Sequence, residues 1–74
     1  METAETAFRT AITLRPSNSK YRFALGVLLE QKGDLRGARE QLSKSLELDS
    51  SIGPTVRPLL TQIDSKEHEP WKAR

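Results

Sequence analysis

The chain predicts an all-α fold built as an antiparallel helix–turn–helix repeat of about four helices. Three observations carry this. Apolar residues recur at three- and four-residue spacing through most of the chain. The breaks between those stretches hold Pro16, Gly33-Asp34 and Gly53-Pro54. The first stretch also realigns on the third at a constant offset of 34 residues: Ala4, Phe8, Ile12 and Leu14 fall on Ala38, Leu42, Leu46 and Leu48.

In the first helix, residues 2–15, Ala4, Ala7, Phe8, Ala11 and Ile12 share one face. Glu2 and Glu5 near its start and Arg9 and Arg15 towards its end suit the helix dipole. Pro16 stops it, since proline has no N–H and disfavours α geometry at Arg15. Ser17, Asn18 and Ser19 are each able to cap the helix that follows.

That helix is expected over about 19–32. Its main stripe is Tyr21, Ala24, Leu25, Leu28 and Leu29, with Phe23 and Val27 on a second apolar face. A helix with two apolar faces needs two neighbours. Gly26 sits mid-helix at a cost of about 1 kcal/mol relative to alanine, so another backbone is expected to come close there. Gly33 suits the left-handed end of the helix, and Asp34 can cap the next. The third helix, about 35–48, places Leu35, Ala38, Leu42, Ser45 and Leu46 on one face. So short a turn makes the pair an antiparallel hairpin.

After the break at 49–54, Val56, Leu59, Leu60 and Ile63 form a last stripe. Pro58 is tolerable there if Thr55 is the N-cap, because first-turn N–H groups lack partners. From Ser65 onward the period is lost. The expected organisation is a partial-repeat helix over 1–16, one complete hairpin over 17–50, a capping helix over 51–65 and, over 66–74, a disordered tail or the frayed end of that last helix.

The spacing of Leu25-Gly26-x-x-Leu29, Gly33-Asp34-Leu35, Ala38, Leu42 and Leu46-Glu47-Leu48-Asp49 resembles the tetratricopeptide repeat, a helix–turn–helix unit repeating every 34 residues or so. Ala4, Phe8, Ala11 and Pro16 resemble its second half. The resemblance covers residues 4 to about 50 and continues more weakly to about Ile63. Arg22 stands where the family commonly has a large aromatic, Ser50 where it has proline, and Leu59-Leu60 replaces the leucine–glycine pair. The resemblance implies a right-handed α-solenoid fragment and a groove for a peptide or partner helix, lined by Lys20, Phe23, Val27, Glu30 and Gln31 and continued by Arg57, Thr61 and Asp64. Phe23 and Val27 stand where carboxylate-clamp members of the family are expected to have Lys and Asn, which disfavours that role.

The remaining features narrow the function class. The 74 residues allow one small domain. With no cysteine there is no disulfide, thiolate metal site or thiol nucleophile. Twelve Lys+Arg against ten Asp+Glu give a net charge of +2, with both signs interleaved. His68 is the single histidine and has no partner at ligand spacing. Turn glycines at 33 and 53 are followed by no phosphate-loop lysine. No enzyme activity, cofactor or metal is expected.

The leading expectation is a protein–protein interaction module, scaffold or adaptor. The alternative is a homo-oligomerisation unit in which another chain covers Ala4, Phe8, Ala11 and Ile12, since the first helix resembles a second repeat helix whose mate is missing. A distant alternative is nucleic-acid binding through Arg15, Lys20, Arg22, Arg36 and Arg39. Trp71 is a speculative anchor in the tail. No apolar run reaches membrane-span length, and the expected location is cytoplasmic.

Overall fold

A computed structural model describes residues 3–67, and within them the chain folds as helices alone. The order is α1 (Ala4–Leu14), α2 (Ser19–Lys32), α3 (Leu35–Leu48), a 3-10 turn (Ser50–Ile52) and α4 (Gly53–Glu67).

Each boundary has a local cause. Thr3 caps α1 by accepting the Thr6 N–H. The helix ends one residue before Arg15, whose backbone leaves the helical region ahead of Pro16. Among the three candidate caps before α2, Asn18 takes the role, its Oδ1 accepting from the N–H of Lys20 and Tyr21 at 3.0 and 3.3 Å. Gly33 closes α2 at φ 90°, and the N–H groups of Gly33 and Asp34 return to the carbonyls of Glu30 and Leu29. This is the left-handed closure that glycine adopts without steric penalty. Asp34 Oδ1 then accepts the Gly37 N–H at 3.0 Å to start α3.

The hairpin of α2 and α3 is the centre, with α1 packed on α2 and α4 on α3. The Cα trace is a slab of 39 × 34 × 13 Å. A body so thin encloses few side chains: the fully buried apolar ones are Leu25, Leu29, Ala38, Leu42, Val56 and Ile63. Phe8, Ile12, Phe23, Leu35, Leu46, Ile52, Leu59 and Leu60 border that core. The expected close approach at Gly26 is present, because a Cβ there would fall 2.7 Å from Leu42 Cγ and 3.3 Å from the Ala38 carbonyl oxygen.

The start of the last helix corrects the sequence expectation. Thr55 is not its N-cap. Asp49 instead accepts from the Ser51 N–H, a 3-10 turn follows, and α4 runs on directly from Gly53. Pro58 therefore lies inside the helix. It is exposed, as is Pro54, whose carbonyl would otherwise receive the missing N–H and can turn to water instead. The helix also ends later than expected, so Lys66 and Glu67 are helical rather than part of a tail. The rest of the expected tail, with His68 and Trp71, lies outside the described residues.

Candidate functional site

Two helix starts meet on one edge of the slab. Asn18 fixes the first turn of α2, and Asp49 fixes the 3-10 turn that leads into α4. Asp49 Oδ1 accepts the Ser51 hydroxyl at 2.5 Å and the Ser51 N–H at 3.1 Å. These bonds, with a smaller contribution from the charge of Lys20, hold its carboxyl below the usual aspartate range. Between the two starts is a recess of about 130 Å³ lined by Ser19, Lys20, Phe23, Ile52 and Thr55. Its lining combines the apolar side chains of Phe23 and Ile52 with the polar ones of Ser19, Lys20 and Thr55.

The far end of the same α2–α4 seam is bridged. Lys66 of α4 donates to the Glu30 carboxylate of α2. Phe23 and Glu30 are seven residues apart, or about 10 Å along a helix, and half-buried Val27 lies between them. The seam is thus about two turns long, open at Phe23 and tied at Glu30. Small-molecule sites typically enclose roughly 300–1,000 Å³. The recess is smaller and admits a single side chain.

Five of the expected groove residues lie on α2, and Lys20 and Phe23 line the recess. Glu30 is engaged by Lys66, and Gln31 is exposed. The expected α4 residues do not line this recess. Arg57 lies back along its own helix beside Gly53, near Leu46 of α3. Asp64 faces Arg39 of α3 at 3.7 Å, and Thr61 is exposed. What lines the recess from that side is Ile52 and Thr55. The helical spacing of α4 could not reveal them, because the 3-10 turn shifts where the helix begins. The one available signal is Asp49-Ser50-Ser51, an Asx-turn pattern.

The expected self-association face divides. Phe8 and Ile12 pack towards the hairpin core, whereas Ala4 is exposed and Ala11 half-buried. Glu5 joins the inward side, accepting from Lys32 of α2 and from Arg9. Those partners, Lys32 first, hold the Glu5 carboxyl below its usual range.

The five expected basic residues do not share a face. Arg22 is half-buried and donates to the Pro16 carbonyl at 3.2 Å and to Gln41 Oε1 at 3.3 Å. Arg39 pairs with Glu67 and Asp64. Arg36 lies on the outer face of α3, where Arg39 and Lys44 alternate with Glu40 and Glu47 around a shallow depression. Lys20 is at the recess, and Arg15 is exposed at the end of α1. Among the described residues no three acidic or histidine side chains are grouped to hold a metal ion, and no helix is long and apolar enough to cross a membrane.

The family model described as tetratricopeptide repeat matches residues 19–52. No curated protein and no solved structure matches the chain. The match begins at the first residue of α2, takes in the whole of α3 and ends with the 3-10 turn, so it spans the hairpin and the turn that follows it. Tetratricopeptide repeats are non-catalytic units that generally mediate protein–protein interaction. The chain therefore carries a tetratricopeptide repeat, formed by α2 and α3 and flanked by one helix on each side.

Proposed function

We propose that the chain is an interaction module that holds a peptide or partner helix along the α2–α4 seam, with one partner side chain seated at Phe23. The carrying observation is the recess itself: Phe23 and Ile52 brought together where α2 begins and the 3-10 turn leads into α4, whereas the outer face of α3 alternates in charge. Lys20 and the two hydroxyls supply polar contacts around that anchor. Val27 extends the apolar strip for one further turn. Arg57 and Thr61 serve the outer surface of α4 in this reading. The helix α1 acts as the second half of a partial repeat, and α4 closes the other end of the hairpin. A scaffold or adaptor role follows from such a seam, because nothing in it performs chemistry on what it holds.

The test is selection of peptides from a displayed random library on the intact chain, followed by amide-shift mapping of those that bind. Peptides should perturb Ser19, Lys20, Phe23, Ile52 and Thr55. Thr55→Phe, a change at an exposed position that fills the recess, should abolish binding while leaving the melting temperature nearly unchanged. Selected peptides that map to the outer face of α3, or that bind Thr55→Phe equally well, would overturn the reading.

A further inference from the structure

Arg36, Glu40, Ser43, Lys44 and Glu47 share the outer side of α3 at three- and four-residue spacing and, with Arg39, surround a depression of about 350 Å³. Arg36 with Glu40, and Glu40 with Lys44, are spaced to pair along the helix. They do not pair. Among the described residues Arg36, Glu40, Lys44 and Glu47 have no ion-pair partner. Ser43 is the one short side chain among five long ones and is half-buried, so it leaves a gap in the middle of the row.

The end of α4 delivers the chain to this face. Glu67 pairs with Arg39, which itself lines the depression. The sequence continues His68-Glu69-Pro70-Trp71-Lys72-Ala73-Arg74, acidic first and basic afterwards. Along α3 the order is complementary: Arg36 and Arg39 come first and Glu47 last. Lys44 departs from that order, but it stands beside Ser43, where a cation would meet an aromatic face favourably.

We propose that residues 69–72 of the chain itself occupy this depression. Trp71 lies over Ser43 between the stems of Arg39 and Lys44, Glu69 meets Arg36, and Lys72 meets Glu47. The lengths agree. Ser43 is four residues from Arg39, or about 6 Å along α3, and the four residues from Glu67 to Trp71 span up to about 14 Å when extended. Pro70 disfavours α geometry at Glu69, which favours a turn off the axis of α4 beside Arg39. The same reach excludes the recess at Phe23. Its α4 residue, Thr55, is twelve residues before Glu67, or about 18 Å back along the helix, beyond the backbone span from Glu67 to Trp71. The outer face of α3 is then taken by the chain, and the Phe23 recess is left to a partner.

Trp71 is the only tryptophan, so its emission reports the contact directly. In the full chain at low concentration the maximum should lie at shorter wavelength than in the same chain unfolded in urea, and acrylamide should quench it less. Ser43→Arg fills the gap and should return both readings to those of the unfolded chain while the helical circular dichroism is kept. Glu47→Lys should shift the emission in the same direction, and adding Lys72→Glu should restore it, which tests the register without touching Ser43. A solvent-like maximum in the parent chain would overturn the proposal. So would a short-wavelength maximum that a folded Ser43→Arg leaves unchanged, or a double variant that fails to recover. A shift that grows with protein concentration would also overturn it, because the tryptophan would then be seated on a second copy.

Discussion

Leu42 lies against α2 at the one point where α2 has no side chain: a Cβ on Gly26 would come within 2.7 Å of Leu42 Cγ and 2.8 Å of its Cδ2. The hairpin closes at this contact. Leu25 and Leu29 bury their side chains on either side of Gly26, and Ala38 brings the α3 backbone to the same level. Glycine costs α2 about 1 kcal/mol in helix propensity relative to alanine. Overpacking a close-packed core typically costs more, roughly 1–3 kcal/mol. Gly26→Ala should therefore destabilise the chain despite improving the helix, by about 1 kcal/mol net, or a melting shift of roughly 4–8 °C. Urea denaturation checks the sign. A more stable variant would mean that Leu42 yields at little cost.

Much of this hairpin was legible because its determinants are local. Asn18, Gly33 and Asp34 each act within three residues of their own position, so caps and turn follow from residue type. The 34-residue offset carried the rest, since it exposes α1 and α3 as copies of one pattern. The candidate site was only half legible. Lys20 and Phe23 follow from the spacing of α2, but Ile52 and Thr55 reach the recess only through a 3-10 turn whose geometry depends on Asp49 and on the burial of Val56. The two sides of α1 were not separable either. Its apolar residues make a single broad face in the sequence, and only the placement of α2 divides Phe8 and Ile12 from Ala7 and Leu14.

Asp34→Ala should weaken the hairpin from its turn. The carboxylate is the N-cap of α3 and satisfies the Gly37 N–H, and loss of such a cap typically costs about 1 kcal/mol. Asp34→Asn and Asp34→Ser, which keep an acceptor, should retain most of the stability. Equal loss in all three variants, measured by thermal denaturation, would assign the effect to charge rather than to capping.

Glu5 and Arg39 occupy the same repeat position with opposite charge, and their partners are reversed to match. Glu5 pairs with Lys32 across α1–α2, whereas Arg39 pairs with Glu67 across α3–α4. The two junctions thus carry opposite polarity, which favours each helix on its own neighbour and opposes a slip by one repeat. Glu5→Lys should loosen α1, raising amide exchange at Phe8 and Ile12, and adding Lys32→Glu should restore protection. If the double variant exchanges as fast as the single one, the pair does not hold α1.

Acid should act on the same junction. The folded chain holds the Glu5 carboxyl below its usual value, which for glutamate is about 4.3. A carboxyl depressed on folding contributes stability above its unfolded pKa and loses it as pH falls through the folded one. Attachment of α1 should accordingly be independent of pH above about 5 and weaken progressively below about 4.3. Asp49 shifts in the same direction, so the turn before α4 should loosen over a similar range. Residue-resolved amide exchange separates the two, and Glu5→Gln should remove the pH dependence at α1 while leaving that at Ile52.

Pro58 offers the clearest route to a more stable chain. It sits in the interior of α4, where its ring opposes the carbonyl four residues back and its missing N–H leaves Pro54 without a helical partner. Proline in a helix interior is less favourable than alanine by about 3 kcal/mol. Part of that is already offset, since the position is exposed and the Pro54 carbonyl can be hydrated. Proline also restricts the unfolded chain, which is worth roughly 0.4–1 kcal/mol to the folded state. With both offsets, Pro58→Ala should still gain about 1 kcal/mol and raise the melting temperature by roughly 4–8 °C. The gain should be confined to α4, with added amide protection from residue 58 to its C-terminal end, while peptide binding at the Phe23 recess stays as it was. A loss of stability would show that α4 needs a bend at Pro58 to bring both Val56 and Ile63 into the core.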